Sequence, residues 1–170
     1  MICTINEANL TSCFAHSFPS YPAGGMKTLM PFVSEAAKSC GSTLENFGPF
    51  LFGHPFKIRD CMMEAHVKSF PVIKENLNND QPVGITLSIM DYQCVEGGES
   101  VRDEAHKESV DVCLDQTKND DFIGIQTYTR HTFGPDGIIT PNLKTSDMLV
   151  MGYEYYPCLL YTSPSPRDSI

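Results

Sequence analysis

Three short stretches of the chain alternate apolar and polar residues with a period of two. They read I-C-T-I-N over residues 2–6, V-G-I-T-L-S-I over 83–89 and F-I-G-I-Q-T-Y over 122–128. In the second, Val83, Ile85, Leu87 and Ile89 point one way and Gly84, Thr86 and Ser88 the other. In the third, Ile123 and Ile125 oppose Gly124, Gln126 and Tyr128, and the first sets Cys3 and Ile5 against Thr4 and Asn6. This pattern predicts strands with one branched aliphatic face, covered by helices.

Between them the period changes to that of a helix. Ile58, Met62, Phe70, Ile73 and Leu77, with His66 in the same stripe, predict an amphipathic helix that Pro71 kinks or divides. Residues 31–40 predict a shorter helix closed by Gly41. Ser100 is placed to cap a third, whose stripe is Val101, Ala105, Val112 and Cys113. Strand, long helical excursion, strand, helix, strand is the order of right-handed βαβ units, so the predicted class is α/β with parallel pairing. Residues 17–26 and 131–143, rich in Pro and Gly, read as irregular loops. The tail from Cys158 to Ile170 has neither periodicity nor caps and reads as unstructured.

Composition narrows the functional classes. The chain has 170 residues, 12 Lys+Arg against 21 Asp+Glu, and a formal charge of −9. Such an acidic balance, without any basic run, speaks against nucleic acid or an anionic membrane as partner. No window approaches the roughly 20 apolar residues of a spanning helix. Seven cysteines scattered without a tight pattern suit a reducing compartment better than a disulfide scaffold, which makes cytoplasmic the expected location.

Candidate chemistry concentrates at the start. Glu7 follows Asn6 directly after a predicted strand, where a barrel enzyme assembles its site. A carboxyl there can act as general acid toward a leaving-group oxygen, and an amide beside it can bond a hydroxyl. Read on its own, Glu7 also fits a solvent-exposed carboxylate opening a loop. His54, Cys61 and His66 lack the tight spacing of metal ligands, and His66 on the apolar stripe reads as a partly buried histidine, so no metal or cofactor is expected. Asn9-Leu10-Thr11 is a sequon, a coincidence in a cytosolic chain. The acidic set Glu99, Asp103, Glu104, Glu108, Asp111 and Asp115 reads as a solvated helix face.

Four segments carry a family resemblance. T-I-N-E-A-N at residues 4–9 resembles the T-x-N-E-P-N acid/base segment of glycoside hydrolase family 1, the β-glucosidases and relatives. D-F-I-G-I-Q-T-Y at 121–128 resembles that family's D-F-x-G-x-N-x-Y strand. M-G-Y-E-Y-Y-P at 151–157 is similar to its M-G-W/Y-E-x-x-P segment, and F-L-F-G-H-P at 50–55 to its P-F-L-F-G-D-P stretch. They occur in family order.

The resemblance implies a retaining glycosidase on a (β/α)₈ barrel, with two carboxylates about 5–5.5 Å apart. Glu7 would then be the acid/base after barrel strand 4, and Asn6 would bind the 2-hydroxyl of the sugar. Tyr128 would orient the nucleophile carboxylate, with Gln126 in place of the usual Asn. The implied partner is a small β-glycoside.

Departures from the pattern are equally informative. Ala8 stands where the family has Pro, and no I/V-T-E-N-G nucleophile segment occurs. A full barrel takes roughly 250 residues and eight strands. Three predicted strands match strands 4 to 6. Residues 1–157 are therefore expected to be an internal part of a longer hydrolase, inactive alone, with 158–170 a non-native tail. The alternatives are another retaining barrel glycosidase of endoglucanase or xylanase type, or a degenerate sugar-binding chain.

Overall fold

The computed structural model describes residues 1–17, 29–77, 80–139, 144, 147–150 and 153–162. The predicted loop over 17–26, apart from Ser17 at the end of a helix, and most of the predicted tail lie outside them. Four strands form one sheet in the order β1 (Ile2–Cys3), β2 (Val83–Cys94), β3 (Phe122–Gly134) and β4 (Gly137–Ile139). β1, β2 and β3 are parallel, as the βαβ order requires, and β4 is antiparallel to β3.

Register follows the alternation. Ile85 and Leu87 face Ile123 and Ile125, while Thr86 and Ser88 face Gly124 and Gln126. Past Ile89 the register shifts: Ile89 faces Thr127 but Asp91 faces Arg130. Ile85, Leu87 and Ile89 form the core with Ala8, Met63, Ala105, Val110 and Cys113. Burial on this scale, at about 25 cal/mol per Å² of apolar surface, is what holds helices to the sheet. Ile123 and Ile125 on β3 are instead each 37% exposed.

Among the described residues, four helices lie between the parallel strands. They are α1 (Leu10–Ser17), α2 (Met30–Ser39), α3 (Pro55–Asn76) and α4 (Glu99–His106), which continues through a π-turn over Lys107–Asp111 into the single turn Val112–Leu114. Gly41, at φ +66°, follows the end of α2 as predicted. The short turn α5 (Leu159–Thr162) closes the described chain.

Several expectations need correction. α3 runs through Pro71 without ending. Pro71 and Val67, whose carbonyl loses its i+4 donor there, are both exposed, so the break in the bonding lies on the solvent face of the helix. The buried residues of α3 are Arg59, Met63 and His66; His66 lies on the predicted stripe, whose other members Ile58, Met62, Phe70 and Ile73 are half-buried. Gly98, not Ser100, stands at the N-cap of α4. The loop expected over 131–143 is a hairpin as far as residue 139, turning through Pro135 and Asp136 with Gly137 at φ +117°. The tail expected to be unstructured begins with α5, whose Leu159 is buried.

Candidate active site

The chain leaves the sheet just after β1. Thr4 N–H still bonds the Gly84 carbonyl (2.8 Å) and Thr86 N–H the Ile5 carbonyl (3.2 Å), after which Leu10 N–H closes a turn onto Glu7 O (3.0 Å). Within that turn Glu7 has φ +50°. An L residue with a Cβ pays about 1 kcal/mol for this left-handed conformation, so surrounding contacts must hold it. Ala8, where the resembled segment has proline, is fully buried in the core beneath the turn.

Four predicted residues come together on the polar face of the sheet. Asn6 Oδ1 accepts from Thr86 Oγ1 (2.9 Å) and from Gln126 Nε2 (2.6 Å). Thr86 Oγ1 in turn accepts from Glu7 N–H (3.2 Å) and Gln126 Nε2 (3.1 Å). Tyr128 donates its phenol proton to Glu7 Oε1, and Gln126 Oε1 lies 3.2 Å from the same hydroxyl. Burial, then the hydrogen bond to Glu7 and the negative charge of its carboxylate, push the Tyr128 phenol up to about 12. The extra methylene of Gln126 is what carries its amide across to Asn6.

Thr86 is the residue that sequence reasoning missed. Its hydroxyl has one proton and two lone pairs, and all three are engaged, which makes it the hub of the cluster. It lies on the polar side of an alternating strand, the one available signal. Gly124 opposite leaves it room: a Cβ there would lie 2.7 Å from Thr86 Cγ2.

Strict alternation also put Thr4 with Asn6, and the structure separates them. Thr4 Oγ1 bonds His66 Nδ1 of α3 (2.7 Å), and His66 Nε2 bonds Asp120 Oδ1 (3.1 Å). Because backbone pairing with β2 stops at Ile5, the two-residue period has no ladder to carry it on to Asn6. His66 is therefore a buried structural histidine. His54 accepts from Lys57 N–H at the start of α3, Cys61 is exposed, and no cluster suited to a metal ion occurs among the described residues. None of the seven cysteines forms a disulfide. No helix among the described residues is long and apolar enough to cross a membrane.

Two further charged groups carry more than the sequence showed. Arg130, two residues beyond Tyr128, holds Glu154 through a fork of two 2.8 Å bonds, and its guanidinium lies 4.7 Å from the centre of the Tyr156 ring. Tyr153 places its ring 6.1 Å from that of Tyr128. Glu108, read as part of a solvated face, instead pairs at 3.0 Å with the buried Arg59.

Solved structures of similar fold include β-glucosidases and a β-glycosidase. The crystal structure of β-glycosidase BGL167 superposes with a TM-score of 0.76 at 31% identity, the apo structure of β-glucosidase 1317 with 0.69 at 24%. The β-glucosidase from Thermotoga maritima in complex with deoxynojirimycin follows with 0.53 at 15% and shares the fold. Each match covers 94% of this chain and 38% of the other. No protein-family model matches the chain, and no curated protein does.

The class is thus a part of a (β/α)₈ barrel, with three of its parallel strands. Within that class the chain is β-glucosidase-like, spanning 38% of the length of the β-glucosidases it matches.

Proposed function

We propose that this chain supplies the acid/base half of a retaining β-glycosidase of family 1 type, acting on β-glucoside-like substrates. Glu7 is the acid/base. In the first step its carboxyl gives a proton to the departing glycosidic oxygen while a carboxylate from another strand of the complete barrel bonds the anomeric carbon. In the second step the Glu7 carboxylate takes a proton from water as that water's oxygen displaces the enzyme carboxylate. Asn6, joined to Gln126, presents its amide to the sugar 2-hydroxyl. Tyr128, bonded to Glu7 here, turns to the nucleophile carboxylate when that group is present.

The observation that carries the reading is the meeting of Glu7 with Tyr128, and of Asn6 with Gln126, where the segment after β1 lies against the middle of β3. The 31% identity to a β-glycosidase and the four motif segments support it. The nucleophile has no counterpart in the sequence, so the 170-residue chain alone should hydrolyse no aryl β-glucoside above background. In an enzyme carrying this segment within a complete barrel, Glu7→Gln should lower turnover of alkyl β-glucosides roughly 10²–10⁴-fold. Turnover by the chain alone that Glu7→Gln abolishes would overturn the two-carboxylate scheme, and full activity of the substituted barrel would overturn the role of Glu7.

A further inference from the structure

Backbone pairing between β1 and β2 ends at Thr86, yet two residues further on Ser88 is fully buried with both peptide groups facing the gap. Left unpaired, those groups would each carry a desolvation cost of about 1–3 kcal/mol. Asn9 occupies the place of the missing strand. Its Oδ1 accepts from Ser88 N–H (2.8 Å) and its Nδ2 donates to Ser88 O (2.8 Å). The second Nδ2 proton goes to Ser109 O (2.7 Å), and the whole residue is inaccessible to solvent.

Ser109 O is available because it lies in the π-turn. A backbone N–H at the end of that turn reaches back to Lys107 O, and the next two carbonyls bond side chains from elsewhere. Arg59 takes Glu108 O and Asn9 takes Ser109 O. A π-turn widens a helix by one residue, which opens carbonyls for such use. One amide therefore ties together the turn after β1, the middle of β2 and the helix beyond it. Only Asn fits. Asp has no proton for the two carbonyls, and Gln is a methylene too long for a site already filled.

Glu7, two residues before Asn9, is the strained member of the same turn. We propose that Asn9 is a positioning residue for Glu7, its carboxamide fixing the turn at the place where the Glu7 carboxyl meets the Tyr128 hydroxyl. The inference rests on the acid/base reading of Glu7 for its functional meaning, while its geometry can be tested without catalysis.

The test is carboxyl ¹³C NMR of the whole chain at neutral pH, with the Glu7 resonance assigned through Glu7→Gln. In the native chain, Tyr128→Phe should shift that resonance because it removes the hydrogen bond. In a folded Asn9→Ala chain, adding Tyr128→Phe should leave the resonance where Asn9→Ala alone puts it, the coupling being lost. Asn9→Asp, which keeps the acceptor to Ser88 N–H but loses both donated bonds, should lose it as well. An undiminished response to Tyr128→Phe in either folded variant overturns the proposal. So does failure of both variants to fold, since Asn9 would then belong to the fold and not to the site. Lost coupling together with full glycosidase activity of Glu7→Gln in a complete barrel would sink the acid/base reading and leave the positioning role standing.

Discussion

Two polar clusters grow from the same few residues at the start of the chain and differ in what surrounds them. Thr4 points toward the helices and begins a sealed chain with His66 and Asp120, whose side chains are 1% and 4% exposed. Glu7, three residues later, points to the other side and meets Tyr128, Gln126, Asn6 and Thr86, with Asn6 exposed and the rest part-buried. In the sealed cluster every change leaves a buried group without water to replace its partner. In the open one, water or a substrate hydroxyl can stand in. The sealed cluster therefore serves the fold, and the open one is where the proposed chemistry would meet a ligand.

The contrast can be broken at its strongest point first. His66→Ala strands the Asp120 carboxyl in the interior, while Thr4 keeps its bond to Gly84 O (3.1 Å), and should cost about 3 kcal/mol, read as a lower midpoint in urea unfolding. A change within about 0.5 kcal/mol would mean that the interior is wetter than described. The next effect is one of pH. Burial lowers His131, on the helix side and bonded to Ser17 (2.9 Å), from the ordinary 6.5 to about 4. Below 6.5 the unfolded chain takes up a proton that the folded chain refuses, so stability present at pH 7 is lost as pH falls toward 4. The loss should be on the order of 3 kcal/mol. Asp120 works in the opposite sense. Burial raises its carboxyl, against the pull of His66, so its contribution is present at low pH and lost as pH rises through that raised value. His131→Gln separates the two, and it should flatten the slope between pH 4 and 6.5; an unchanged slope would assign the loss elsewhere.

Smaller effects belong to the open side. Gln126→Asn withdraws the amide by one methylene from Asn6 and should cost about 1 kcal/mol of stability. In a complete barrel it should alter KM more than kcat, and an equal fall in both would place Gln126 in the transition state. Glu7→Gln, which keeps an oxygen for the Tyr128 hydroxyl, should change the urea midpoint by no more than about 0.5 kcal/mol. A larger loss would make the carboxylate a member of the fold after all.

What could be read in advance follows the same division. Ile85, Leu87 and Ile89 alternate because a regular strand packs against helices, and regularity is visible in sequence. That Asn6, Glu7, Gln126 and Tyr128 belong together was legible because they sit in motif segments, although β3 continues to Gly134 and does not end at Tyr128 as expected. Thr86 was not, since one threonine on a polar face has no signature until the strands are paired. The reach of Arg59 and Asn9 into a π-turn depends on contacts 49 and 100 residues away, which no local pattern encodes. Pro71 misled for a related reason: its penalty depends on whether the orphaned carbonyl meets water, a property of the surface and not of the residue.

The burial of Asn9 bears on how the polypeptide must be made. Its Nδ2 is the atom to which an oligosaccharide would be attached at Asn9-Leu10-Thr11, and Thr11 is likewise inaccessible, bonded to Pro55 O at 2.8 Å. Modification of the nascent polypeptide and closure of the seam between helix and sheet are therefore mutually exclusive. In a secretory lumen the sequon would become a race, in which every molecule that acquires the carbohydrate first is committed to remaining open and to disposal.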